Sequence, residues 1–378
     1  MALKPGTSFS GLLLRWFVSI DLVLFVALTL LIALGSILLF SATGENMRMM
    51  NNHTIHLVLA TVVMIIAMQL SSDLLQRWAL WIYVLGVIVL ILVLVQGSMG
   101  KGAQRWIEFG GLRFQPSEVM KLAVPMMVAS YLSKKNLPPS FKDIFVASIL
   151  VVVPMLLIVK QPDLGTALLV GSAGFFVIYF AGFPWKWLAW ILVTAISVGL
   201  LVYIFELYEY IGLHEYQLKR IFTLFNPDAD RLGSGYHIIQ STIAIGSGGF
   251  YGKGWLNGDQ SRLDFLPERH TDFIFAVFGE EFGLLGNIIL LTLYLFIIWR
   301  GLYLALKGHD TFARLLGGSL SLTFFIYLVV NTGMVSGILP VVGVPLPLIS
   351  YGGTSLVTLM AAFGLLMGLR RRKKGYDE

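Results

Sequence analysis

The chain has no cysteine among its 378 residues. Disulfide frameworks and thiolate metal sites are therefore excluded, although the redox compartment is not fixed by that absence. Charge is also scarce. Asp, Glu, Lys and Arg make up 13% of the residues, against about 25% in soluble domains. There is no GxxxxGK[ST] phosphate loop, no HExxH and no His/Asp/Glu grouping that reads as a metal cage. His53 and His56 stand three residues apart without an acidic neighbour, which favours placement at a membrane interface over a metal site. No segment has the composition of a soluble catalytic domain, so any enzyme activity must be built from loops and helix ends.

What the chain does have is apolar length. Hydrophobic residues make up 57% of it, and they fall into ten runs: about 20–42, 54–72, 77–96, 117–133, 142–160, 165–182, 185–205, 273–299, 312–336 and 351–369. Each approaches or exceeds the length that spans a bilayer, and the need to satisfy backbone groups in lipid makes them helices. The first run is longer than the apolar core of a signal peptide and no small-residue cleavage site follows it, so it is expected to be a retained helix. The expected fold is an all-α polytopic membrane protein, one domain over 1–378, with ten transmembrane helices. A large extracytoplasmic loop, 206–272, is expected between the seventh and eighth.

An even number of spans puts both termini on one side. With a cytoplasmic N-terminus, 15 Lys and Arg residues fall on inner segments and 6 on the short outer segments and their helix ends. The positive-inside rule supports that orientation. The basic run Arg370-Arg371-Arg372-Lys373-Lys374 directly follows an apolar segment. It suits an anchor against anionic lipid, and its lack of aromatics argues against nucleic acid.

With that topology the unusual polar groups all fall on the outer side. Asp272 ends the stretch Glu268-Arg269-His270-Thr271-Asp272, where the long loop enters an apolar helix. A carboxylate there is either a charge at the positive end of a helix or a general base. Gln115-Pro116-Ser117-Glu118 leads to Lys121, with Glu118 and Lys121 on one helical face, either as an ion pair that eases their burial or as a site for an anionic substrate. Before it, Lys101 and Arg105 lie in a glycine-flanked basic and aromatic loop, suited to interfacial snorkelling or to holding a pyrophosphate. Lys160-Gln161-Pro162-Asp163 reads as a tight turn with Asp163 capping the next helix. Finally, 340–355 carries three prolines and ends Ser350-Tyr351-Gly352-Gly353-Thr354-Ser355. Such irregular backbone is tolerated at membrane depth only inside protein or beside a cavity. It is either a re-entrant packing element or a helix N-terminus open to an anion.

These blocks together resemble the SEDS family (shape, elongation, division and sporulation). The likeness rests on Arg105-Trp106-Ile107 with Gln115-Pro116-Ser117-Glu118 and Lys121, on 161–166, on 226–286, and on 331–355 with Asn331, Gly337, Pro340 and Gly343 in place. Arg269 before His270 is similar to the elongation branch of the family rather than the division branch. The resemblance implies a peptidoglycan glycosyltransferase acting on lipid II, a disaccharide-pentapeptide carried on undecaprenyl pyrophosphate. It implies Asp272 as the essential loop aspartate, with Glu118 and Lys121 as the helix-borne pair. Lys101, Arg105, Gln161, Asp163, Arg269, His270 and Ser350 are the expected substrate-binding residues. No cofactor is evident, and a divalent cation is compatible. The implied partners are a class B penicillin-binding transpeptidase and the MreB-associated elongation complex in the bacterial inner membrane. The competing expectations are a lipid II flippase, which should line both leaflets with polar groups, and a non-catalytic scaffold.

Overall fold

The computed structural model describes residues 20–100, 103–109, 112–184, 186–187, 189–190, 193–194, 197, 222–224, 226–230, 233–263, 265–266 and 268–370. Its first six helices are α1 (Leu22–Ala42), α2 (Met47–Met68), α3 (Ser72–Gln96), α4 (Pro116–Leu132), α5 (Phe141–Lys160) and α6 (Leu164–Phe180). After a 3₁₀ turn at Pro227–Asp230 come α7 (Ser234–Ser247), the short α8 (Asp259–Arg262), α9 (Ile274–Leu306), α10 (Thr311–Val335) and α11 (Gly353–Gly368). All but α7 and α8 coincide with expected spans. The remaining span, 185–205, lies largely outside the described residues. The polytopic helical class holds, with one addition. The loop containing Arg105 is a small antiparallel meander of β1 (Ser98–Gly100), β2 (Ala103–Phe109) and β3 (Leu112–Phe114). Phe109 pairs with Leu112, and the two residues between them in sequence are glycines, the composition of a tight hairpin connection.

Local chemistry starts the helices. Asp21, Asn46, Ser71, Ser140, Asp163 and Asp310 each occupy an N-cap and accept an amide of the first turn. The Asn46 cap lets α2 begin seven residues before its apolar run, so its first two turns mix Arg48, Asn51, Asn52 and His53 with methionines. Close packing then needs small residues, because lipid supplies little hydrophobic drive between helices. A Cβ on Gly364 would lie 2.3 Å from the Met64 carbonyl oxygen, and one on Gly368 would lie 2.6 Å from that of Met68. This small-x-x-x-small pair lets α11 run parallel to α2 with the backbones nearly touching.

The long loop is knitted to α9 by a break in that helix. Gly283 has φ +64° and ψ −162°, which interrupts the helical ladder. The carbonyls of Glu280 and Glu281 then accept from the amides of Lys253 and Gly254 at 3.0 and 2.9 Å. The amides of Leu284 and Leu285 donate to the carbonyls of Gly249 and Phe250 at 2.9 and 3.1 Å. The glycine-rich segment 249–254 thus takes over backbone bonds that a continuous helix would make itself. A Cβ on Gly252 would sit 2.1 Å from the Glu281 carbonyl oxygen, so the docking depends on that residue having none. The contact falls ten residues into α9, about 15 Å along its axis. This part of 206–272 therefore packs along the first third of α9.

At the other end of α9, Asp21 joins three parts of the chain. Its carboxylate accepts Arg300 Nε at 3.0 Å and Nη2 at 2.8 Å, Arg370 Nη1 at 3.0 Å, and the Leu24 amide at 3.0 Å. Burial pushes this carboxyl up. The hydrogen bonds from Arg300 and Leu24 and the charges of Arg300 and Arg370 outweigh that and hold it below the usual carboxylate value.

Two outcomes are expected. Gly283→Ala forces a side chain into backbone geometry that only glycine adopts readily. The strain costs on the order of 1–3 kcal/mol, and the loop must also shift because a Cβ there would meet the Gly252 nitrogen at 2.3 Å. A lower unfolding midpoint in detergent and faster proteolysis between α7 and α8 check this. For Asp21 the folded carboxyl binds its proton less readily than the unfolded one. Its stabilisation is complete above the unfolded value of about 3.9 and is lost as pH falls through the folded one. Thermal melts from pH 7 down to pH 3 should show the wild type losing its advantage over Asp21→Asn at the acid end.

Candidate active site

Asp272 lies one residue outside the N-cap of α9. Phe273 holds the cap position, which leaves Asp272 beside the positive end of the helix. The half-buried stretch around Asp272 is held at every residue from 269 to 272. Arg269 Nε donates to the Ala42 carbonyl at the end of α1 at 2.7 Å. The His270 carbonyl accepts the Tyr351 amide at 2.8 Å. The Thr271 carbonyl accepts the Ser350 hydroxyl, and the Asp272 carbonyl accepts Asn331 Nδ2 at 2.8 Å. Glu268 has φ +51°, and its carboxylate accepts the Thr271 hydroxyl at 2.8 Å, which tightens the turn before Asp272. His237, on α7, stacks on Phe273 at 5.3 Å. Burial pushes its imidazole below the usual value, against the opposing pull of Glu268 and Asp230.

The proline-containing loop between α10 and α11 forms the opposite wall. Asn331 donates a second bond to the Val344 carbonyl at 2.8 Å. The Leu346 amide donates to Ser350 Oγ at 2.8 Å, and the Tyr294 hydroxyl donates to the Pro347 carbonyl at 2.7 Å. Gly343 adopts φ +73°, and a Cβ there would stand 3.5 Å from Asp272 Oδ2. The loop thus passes directly beside the carboxylate. It also abuts the start of α6, where a Cβ on Gly165 would lie 2.7 Å from the Val342 carbonyl oxygen.

Glu118 and Lys121 form the expected pair on the first turns of α4. Lys121 Nζ lies 2.7 Å from Glu118 Oε1 and also donates to the Tyr327 hydroxyl. All three are buried, with Glu118 at 6% and Lys121 at 5% exposure. Glu118 Oε2 and Ser117 Oγ make no hydrogen bond within the described protein, which leaves acceptor capacity beside the pair. Tyr327 and Asn331 are one turn apart on α10, about 6 Å along the axis. The ion pair and Asp272 therefore hang from adjacent turns of one helix.

The remaining block supports this wall. Asp163 caps α6 through the Thr166 amide at 3.2 Å, as its position in the turn suggested. Its second oxygen accepts Gln115 Nε2 at 2.9 Å and faces Arg105 Nε at 3.7 Å. Arg105 also donates to the Gln161 and Pro162 carbonyls, and Gln161 Nε2 donates to the Leu90 carbonyl at 3.0 Å. The observed contacts of Arg105, Gln161, Asp163, Arg269 and Ser350 are thus largely to backbone, and they shape the site. Lys101 lies outside the described residues. No group of three or more His, Asp and Glu among the described residues is arranged to hold a metal.

Several buried groups escaped notice in the sequence. Glu280 is fully buried and accepts Lys253 Nζ at 2.8 Å and the Gln260 amide at 3.1 Å. Glu281 accepts the Ser41 hydroxyl. Their signal was available, since two adjacent carboxylates stand inside an apolar span. Tyr327 gave no such signal, because an aromatic in a helix looks like packing.

The buried pair gives a direct test. Lys121→Met leaves the Glu118 charge without its cation, at a cost of roughly 3–5 kcal/mol. The double change Glu118→Gln with Lys121→Met should restore much of the melting temperature in detergent without restoring activity.

The protein-family model described as "Cell cycle protein", covering the FtsW, RodA and SpoVE proteins, matches residues 17–375. The chain is 45% identical over 357 residues to the peptidoglycan glycosyltransferase MrdB of Escherichia coli strain K12, covering 94% of this chain and 95% of that one. It is 34% identical over 367 residues to a probable peptidoglycan glycosyltransferase FtsW of Geobacter metallireducens, covering 94% and 96%. Among solved structures, it is similar to a chain of a peptidoglycan synthase complex described as coordinating polymerization and crosslinking, with TM-score 0.79 at 32% identity over 93% of this chain and 97% of that one. The crystal structure of the rod shape determining protein RodA of Thermus thermophilus gives TM-score 0.69 at 28% identity, covering 93% and 96%. With matches of this extent on the same blocks that build the site, the chain belongs to the FtsW/RodA/SpoVE family.

Proposed function

We propose that this protein is a peptidoglycan glycosyltransferase that polymerises lipid II into β1–4 glycan strands during cell-wall elongation. The observation that carries the reading is Asp272, a half-buried carboxylate whose backbone is fixed by Asn331 one helical turn from the Glu118–Lys121 pair. The names of the similar proteins agree with it. The excess of Lys and Arg on the opposite segments supports a topology with this face outside the cytoplasmic membrane and both termini inside.

The chemistry follows from the groups present. The 4-hydroxyl of the acceptor GlcNAc gives its proton to Asp272 as its oxygen attacks the anomeric carbon of the donor MurNAc. The bond to undecaprenyl pyrophosphate breaks, and the pyrophosphate leaves with the electron pair. Displacement of an α-linked leaving group gives a β-linked product, so one inversion suffices and no covalent intermediate is needed. Pyrophosphate is already a good leaving group, so cationic stabilisation is more useful to it than an acid. Lys101, Arg105 and Lys121 are the cations assigned to that task, with a divalent ion compatible. Glu118 holds Lys121 in place. A class B penicillin-binding transpeptidase is the partner that would crosslink the strand, within an MreB-associated complex.

A positioned base contributes roughly 10²–10⁴-fold. Purified Asp272→Asn protein should therefore polymerise lipid II slower by that factor while keeping the wild-type melting temperature. Near-normal turnover by the folded variant rejects the base. Lipid II translocation by the wild type in proteoliposomes without polymer would instead make the protein a flippase.

A further inference from the structure

A cavity of about 420 Å³ opens between α1, α2 and α11, lined by Phe25, Thr29 and Ile32 on α1, Thr54 and Thr61 on α2, and Met360 on α11. Its origin is in the packing. α1 leans on α9 and α2 follows α11, so the two helices separate below the short link that joins them. Its wall is apolar in effect. The hydroxyls of Thr29, Thr54 and Thr61 donate back to the carbonyls of Phe25, Met50 and Leu57 at 2.9, 2.9 and 2.8 Å. Along α2 it runs from Thr54 to Met64, ten residues or about 15 Å. It lies in the part of the chain that spans the membrane.

Directly at the upper end of this groove is a group of polar rings that the proposed chemistry does not use. His53 and His270 flank Tyr351 with ring centres at 6.5 and 6.1 Å. The His56 ring lies against the first turn of α11, where a Cβ on Gly353 would be 2.8 Å from it. The Tyr351 amide is bonded to the His270 carbonyl, two residues from Asp272. Asp272, the three histidines and the groove therefore follow one another from the outer face into the membrane. A polyprenyl-diphosphate sugar has the same order of sugar, diphosphate and apolar tail. The half-buried His56 and His270 lie at the level of the diphosphate, with His53 buried behind them at 3% exposure, and an apolar groove below suits the tail.

We infer that the groove between α1, α2 and α11 holds the polyprenyl tail of the donor substrate, with its diphosphate at the level of His56 and His270. This rests on the glycosyltransferase reading and adds the place of the donor. An ordinary phospholipid also has an anionic head and apolar tails. What favours the substrate is that Thr54 at the groove's upper end is flanked on α2 by His53 and His56, which lie against Tyr351 and Gly353 beside the Asp272 loop.

The test fills the groove from the lipid-exposed side of α2, with Val58→Trp and Thr61→Trp, in purified protein in nanodiscs. Leu85→Trp on α3 is the control, since Leu85 is 61% exposed and outside the groove. The expected result is a KM for lipid II raised about tenfold or more in the filled variants, with kcat within about twofold and the control unchanged. Binding of undecaprenyl diphosphate to folded Asp272→Asn protein should weaken by a similar factor when either tryptophan is added. Unchanged KM and unchanged binding overturn the inference. So does an equal rise in the control, or equal displacement of undecaprenyl diphosphate by phosphatidylglycerol. If the wild type makes no polymer, the glycosyltransferase reading fails by itself, and the binding measurement still decides the groove.

Discussion

The two hydrogen bonds from Asn331 Nδ2 are the constraint on which the site depends. One goes to the carbonyl of Asp272 and the other to the carbonyl of Val344, both at 2.8 Å, from a side chain with no exposure. Neither carbonyl belongs to a helix or strand, so neither has a ladder partner, and a buried carbonyl left unpaired costs about 1–3 kcal/mol. A single rigid amide satisfies both and so fixes the distance between the two loops that face each other across the site. Because the amide projects from α10, it also fixes both loops relative to Tyr327 and, through it, to Lys121 and Glu118. Asp272 and the buried ion pair are thereby set against one another by a spanning helix, not by loop packing alone.

A second device supplies the far side. The break at Gly283 exchanges helical hydrogen bonds for bonds to the glycine-rich segment, so the long loop is joined to α9 through its backbone. Lys253 reinforces the junction through the buried Glu280 carboxylate. This explains why a segment dense in glycine is ordered. Its glycines are sites of backbone contact, and a side chain at Gly252 or Gly283 would hold the surfaces apart. The loop can then carry α7 against α9 and α10 and place His237 beside Phe273 at the entrance to the site.

Much of this was legible in the residues, for physical reasons that differ by element. Hydrophobic length located the spans, because lipid imposes a minimum on it. The cap at Asp163 marked one start, and where an unread cap preceded the apolar run, as at Asn46, run length placed the start too late. The meander around Arg105 was missed because its strands are short, and strand pairing is a non-local choice. Asp272 stands out by its position where the long loop enters an apolar helix, and the structure sets it one residue before the N-cap Phe273. Arg105, Gln161 and Ser350 were flagged as polar groups near the membrane. Sequence could not tell that their side chains hold neighbouring backbone, because that depends on which loops meet.

The buried carboxylates show how structural and functional charges can be separated. Asp21 takes two arginines and an amide; Glu280 takes a lysine, an amide and a serine hydroxyl. In both cases the acceptor positions are met by protein, which is what a buried charge requires if its only task is to hold segments together. Glu118 differs. One oxygen is bound to Lys121, and the other has no partner among the described residues. The adjacent Ser117 hydroxyl is in the same condition. Asn331 Oδ1 and Ser355 Oγ are in the same condition, and such groups in a low-dielectric interior call for a polar partner. On the proposed function, the ion pair would border the reacting groups as well as brace the helices that carry them.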